Sequence, residues 1–119
     1  IIAAAAHPPM IIVGHGAQII FQKRPGTIHV RLIGTEESRI ARVMARDRTT
    51  REVAAANERR INGQRQAYVQ RYYHHYWADP LLFDIQFNTA RLAIEDAVSF
   101  VASMVADRAA MQPAHVLND

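Results

Sequence analysis

Cysteine is absent from these 119 residues, and lysine occurs once, at Lys23. Without cysteine the chain has no disulfide, no thiolate metal site and no cysteine nucleophile. That composition agrees with a cytoplasmic setting. No apolar run approaches the ~20 residues that a membrane helix needs. The apolar opening Ile1–Ala6 stops at Pro8 and Pro9 and lacks a charged leader region. No internal repeat and no low-complexity segment is present. The rest is ordinary for a globular protein, 50% hydrophobic and 21% charged, in a length that fits one domain. The chain opens on Ile, inside what reads as a helix end, so it is expected to be a fragment of a longer protein.

What the chain does have is arginine in one place. Nine arginines fall between Arg39 and Arg71, against three acids, for a local net charge of +6. A guanidinium stays charged and pairs bidentately with phosphate oxygens. An arginine-only concentration therefore points to a polyanion, most simply a phosphorylated ligand. The plain alternative is a solvated helix face.

The order of elements follows from local signals. Met10–Val13 is a short apolar run rich in β-branched residues, expected to be a buried strand. Gly14-His15-Gly16 reads as a tight turn, Ala17–Phe21 as a short helix and Arg24-Pro25-Gly26-Thr27 as a turn. Thr27–Ile33 reads as a second strand closed by Gly34. Thr35 is a good N-cap, with Glu36 and Glu37 in the first turn where the helix dipole favours acids. The helix runs to about Arg46, with Ile40, Val43 and Met44 on its apolar side. Arg39, Arg42 and Arg46 can share one face. Arg51–Tyr76 is expected to be helical, with a break at Asn62-Gly63 as an option. Its stripe of Ile61, Tyr68, Val69, Tyr72, Tyr73 and Tyr76 has the spacing of a buried helix face, although such aromatics can also stack bases. Asp79-Pro80 reads as a turn and Phe83–Phe87 as a third strand. A last helix at about Ile94–Arg108 is expected to bury Ala97, Val98, Val101 and Val105, before a frayed tail at Met111–Asp119. His74 and His75 are adjacent and point apart on a helix, so no metal site is expected. Strand, glycine and capped helix form the grammar of a parallel sheet, whose ligands bind beyond the strands' carboxyl ends.

Four segments in this order resemble the cytidylate kinase-like branch of the P-loop nucleoside monophosphate kinases. They are Ile12-Val-Gly-His-Gly-Ala-Gln18, the strand and helix entry Ile28–Arg42, Asn62-x-x-Arg65-x-x-Tyr68 followed by Tyr72-Tyr73 and Trp77-x-Asp79-Pro80, and Phe83-Asp84-x-x-x-Asn88-Thr89. The resemblance covers roughly residues 1–106. It implies an α/β, three-layer P-loop kinase-like fold with a mostly parallel sheet, an Arg-rich helical lid at about 47–79 and its N-terminal part missing. Residues 1–109 would be the C-terminal portion of that domain and 110–119 a tail. In the family the sheet order is 2-3-1-4-5, which makes Met10–Val13, Thr27–Ile33 and Phe83–Phe87 the third, fourth and fifth strands. The implied activity is transfer of the ATP γ-phosphoryl group, with Mg²⁺, to a nucleoside monophosphate such as CMP or dCMP. Arg65 would reach the transferred group from the lid. Gly14, His15, Gly16 and Asn62 would bind the acceptor. Arg42 and Arg46 would face ATP phosphates, and Asn88 and Thr89 would lie near the adenine. Nucleoside mono- and triphosphates are the implied partners; no membrane is expected, and a homo-oligomer is one expected state.

The sequence departs from the family pattern in three ways. It contains no Gly-x-x-x-x-Gly-Lys-[Ser/Thr], and Lys23 does not follow a glycine, so these residues alone cannot cradle the β- and γ-phosphates. His15 stands where an acceptor-binding Arg is usual, and Asn62 where the lid usually has Asp. Either the acceptor differs or this member is catalytically degraded. A kinase-like regulatory module that binds nucleotide without turnover is the first alternative. An Arg-rich nucleic-acid binder is the second, opposed by the acidic last third, where residues 72–119 carry a net −4.

Overall fold

A computed structural model describes residues 10–116, with side chains through Asp107. The elements run α1 (Ala17–Ile20), β1 (Val30–Ile33), α2 (Glu36–Asp47), α3 (Arg51–Tyr73), a 3-10 turn (Pro80–Leu82), β2 (Ile85–Asn88) and α4 (Ile94–Val116). The expected helix end at Ile1–Ala6 lies outside the described residues.

The sheet is small. β1 and β2 pair in parallel, with Val30 opposite Ile85 and Ile33 opposite Asn88. The adjacency and direction are those expected of the fourth and fifth strands. Both strands are shorter at their N-terminal ends than the apolar runs imply. Asp84 explains part of this: its carboxylate accepts the His29 backbone N–H at 2.6 Å, where a strand would have continued. Met10–Val13 is not a strand. A strand exists by its ladder, and among the described residues this run has no ladder partner.

α2 and α3 form an antiparallel hairpin. The Thr35 hydroxyl accepts the Ser38 N–H at 3.1 Å, and Glu36 and Glu37 fill the first turn. Arg48 ends α2 in the left-handed region at φ 51°, its N–H returning to the Met44 carbonyl. Thr50 starts α3 at once by accepting the Val53 N–H. Ile40, 1% exposed, packs on Ala54 and Ala55, with Val43 and Met44 beside them. The two alanines let the backbones approach. Burying a residue of Ile40's size contributes about 1.5–3 kcal/mol.

α3 runs unbroken through Asn62-Gly63. A mid-helix glycine costs ~1 kcal/mol relative to alanine, which a capped 23-residue helix can absorb. Nor does the expected stripe on α3 form a buried face. Val69 is buried and Tyr73 half-buried, but Tyr68, Tyr72 and Tyr76 are exposed. α4 extends past Arg108 to Val116, through most of the expected tail. Of its expected stripe only Ala97 is buried; Val98 and Val105 are exposed because no described element covers them. Phe87 of β2 meets Phe100 of α4 edge-on, with ring centres 6.1 Å apart.

Candidate functional site at the strand ends

The parallel pairing puts the carboxyl ends of β1 and β2 side by side. Thr89 joins them. Its N–H and its hydroxyl both donate to the Ile33 carbonyl, at 2.7 and 2.8 Å. Gly34 follows β1 and leaves no room for a side chain. A Cβ there would lie 2.8 Å from the Ser38 hydroxyl and 3.3 Å from that of Thr89. The Asn88 side chain turns the chain after β2 by accepting the Ala90 N–H at 3.0 Å.

Arginines of α2 converge on this corner. Arg42 donates to the Thr89 hydroxyl at 3.1 Å and to the Thr89 carbonyl at 3.0 Å. Two candidates assigned to the ATP side are thus in direct contact. Arg39 donates to the Gly34 carbonyl and to Glu58 of α3, each at 2.6 Å. Glu58, only 16% exposed at its side chain, also accepts from Asn62 at 3.4 Å. Asn62 therefore joins the corner through Glu58. Neither Arg39 nor Glu58 stands out as a site residue in the sequence. They lie 19 residues apart, and only the antiparallel hairpin brings them together. The one local signal is the i, i+4 spacing of Glu58 and Asn62.

Two candidates stand apart from this network. Arg46 forms a fork with Asp47, at 2.8 and 3.0 Å, on the exposed end of α2. The same contact holds the Asp47 carboxyl below its ordinary value. Arg51 does likewise to Glu37. Arg65 is exposed and has no hydrogen bond or ion pair among the described residues.

The Gly14-His15-Gly16 turn lies at the far end of α3. All three residues are left-handed, at φ 76°, 64° and 69°. A Cβ on Gly16 would sit 2.5 Å from a ring carbon of Tyr73, so that position requires glycine. The Tyr73 hydroxyl donates to the His15 carbonyl at 3.4 Å. Burial, and then hydrogen bonding with Tyr68, push the Tyr73 phenol above its ordinary value. The second half of α3, which carries Arg65, therefore spans from the Asn62 corner to the His15 turn. Trp77, just past α3, packs its ring against Arg31 of β1, with the guanidinium 5.4 Å from the ring centre. Arg31 also donates to the Ala78 carbonyl, fixing the helix exit to the sheet.

The described residues thus combine a two-stranded parallel sheet, whose first strand ends at a glycine, with a capped arginine-bearing helix and a second arginine-rich helix. The chain belongs to the cytidylate kinase-like family, whose profile matches residues 1–91. Among solved structures it is similar to an uncharacterized protein from Eubacterium ventriosum, at 21% identity and a TM-score of 0.75. The likeness covers 82% of this chain and 55% of that one, so the chain spans about half the length of its structural relative. No curated protein matches it. Among the described residues no helix is long and apolar enough to cross a membrane.

Proposed function

We propose that this chain is the lid-bearing part of a P-loop kinase-like domain that transfers the γ-phosphoryl group of ATP to a nucleoside monophosphate, CMP or dCMP first. The observation that carries this reading is the convergence of Arg42, Thr89, Arg39, Glu58 and Asn62 beyond the carboxyl ends of two parallel strands. Open parallel sheets receive ligands at that place. Phosphoryl transfer asks a protein mainly for positioning and charge neutralisation, which arginines supply.

In this reading Arg42 and Arg46 meet ATP phosphates, with Asn88 and Thr89 beside the adenine. Asn62 and the Gly14-His15-Gly16 turn take the acceptor, and Arg65 reaches the transferred group when the lid closes. The described residues include no group of three His, Cys, Asp or Glu suited to a metal, and the sequence has no glycine-rich lysine loop. These residues therefore do not fit Mg²⁺ or the β- and γ-phosphates by themselves. Other residues of the protein would hold both. A cysteine-free chain acting on ATP suits the cytoplasm.

A second reading is nucleotide binding without turnover. It is favoured by Arg42 and Asn62, whose donors are already engaged within the chain. The test is incubation of the intact protein with ATP, Mg²⁺ and CMP or dCMP. Formation of ADP with CDP or dCDP supports transfer. Calorimetric binding of CMP without product supports the second reading, and the absence of both binding and product overturns both.

A further inference from the structure

We propose that the outer face of the second half of α3 is a binding surface for single-stranded nucleic acid. The face is the ridge Arg60, Gln64, Tyr68 and Tyr72, four residues apart in turn, with Arg71 alongside. These positions share one side of a helix, and all five side chains are exposed. The phosphotransfer reading uses Arg65 and the strand-end corner, and although Tyr68 and Tyr72 lie in the same helical segment it gives none of these five side chains a role.

Three observations carry it. The first is aromatic exposure. Tyr68 is 41% and Tyr72 60% exposed, although the spacing predicts burial. Their ring centres are 4.9 Å apart with planes tilted by 49°. A base cannot enter between rings that close, so only the outward part of each ring is open to stacking. Exposed aromatic rings hold successive bases of a single strand. The second is charge. From Arg59 to Ala78 the sequence has four arginines, all four tyrosines and the single tryptophan, and no acid. Arg60 has no hydrogen bond or ion pair among the described residues. The Arg71 guanidinium lies over the Tyr72 ring, 5.6 Å from its centre, so a base stacking on that face would have to share it with this cation or displace it.

The third observation is length. At 1.5 Å per residue, Arg60 and Arg71 are ~16 Å apart along the helix. One phosphate of a mononucleotide cannot reach both. A strand with several phosphates can, while its bases lie on the tyrosines between them.

The experiment titrates fluorescein-labelled oligo(U) and oligo(dT) of about 12 nucleotides against the intact protein at several salt concentrations. CMP and heparin serve as competitors. Binding of either oligonucleotide is expected, and the tighter of the two identifies RNA or DNA as the source. Tyr68→Ala and Tyr72→Ala should each weaken binding by about 5- to 150-fold, while Tyr68→Phe should keep it. Arg60→Gln and Arg71→Gln should each flatten the salt dependence by about 0.7 in logarithmic slope. Circular dichroism should show unchanged helix content in all five variants, because the side chains are exposed. The proposal is overturned if neither oligonucleotide binds, if the tyrosine-to-alanine variants bind like the parent, or if CMP displaces the strand as effectively as unlabelled oligonucleotide. Heparin displacement that leaves the alanine variants indistinguishable from the parent would mark a charge-only surface and overturn it too.

Discussion

Single residues show which parts of the candidate site are fixed by geometry and which are free to act. Gly16 is fixed. Its left-handed backbone and the nearby Tyr73 ring leave no space for Cβ. Gly16→Ala should destabilise the protein by about 1–3 kcal/mol from backbone strain, plus whatever the ring must yield. A lower urea midpoint at unchanged slope would register it; an unchanged midpoint would mean the turn relaxes freely. Arg65 is the opposite case, exposed and without a partner among the described residues. If it meets the transferred phosphoryl group, Arg65→Ala should lower kcat by roughly 10²–10³ with a smaller effect on ATP affinity. Normal turnover in the variant would return Arg65 to the solvated surface. Much of this scale is legible in the chain itself, because Thr35, Gly14 and Gly16 announce their backbone roles by residue type. Glu58 and Arg39 are not legible. Their contact is created by the hairpin, and nothing local to either residue encodes it.

At the scale of elements, propensity and packing part company. The start of α2 is readable because a threonine cap and two first-turn acids act locally. Asn62-Gly63 invites a break because both are poor helix formers, yet α3 continues, since cap and hairpin packing outweigh one weak step. The tyrosine stripe has the period of a buried face, but α2 is only 12 residues long and covers the first half of a 23-residue partner. Period alone cannot report where the covering helix stops. Gly63 lies inside the helix, and a methyl group added there would meet nothing within 4 Å. Gly63→Ala should therefore stabilise the protein by about 0.5–1 kcal/mol. Thermal unfolding should shift upward. A downward shift would show that a methyl group at this position costs more in strain or packing than the helix gains.

Over the whole molecule the apolar surface is incompletely covered. The radius of gyration is 16.5 Å, against about 13.5 Å for a compact domain of this length. Ile11 is 91% and Leu32 57% exposed, and Val13, Val98 and Phe100 are also open to solvent. These residues come from the expected third strand, from β1 and from the last helix. Among the described residues no element covers these three regions. Met10–Val13 has the composition of a buried strand, but composition cannot provide the neighbour that a ladder requires. Two strands of four residues offer little sheet of their own, and a two-stranded unit is marginal in water. Open edges and apolar faces invite association. Residues 1–119 expressed by themselves should therefore self-associate or unfold with low cooperativity, and should show no Mg²⁺-dependent phosphorylation of CMP. Sedimentation velocity with urea denaturation checks the first expectation, and a coupled ADP assay the second. A monomeric species unfolding in one sharp transition would mean that these faces need no cover. Sustained turnover by that monomer would require a phosphate cradle built from residues other than a glycine-rich lysine loop.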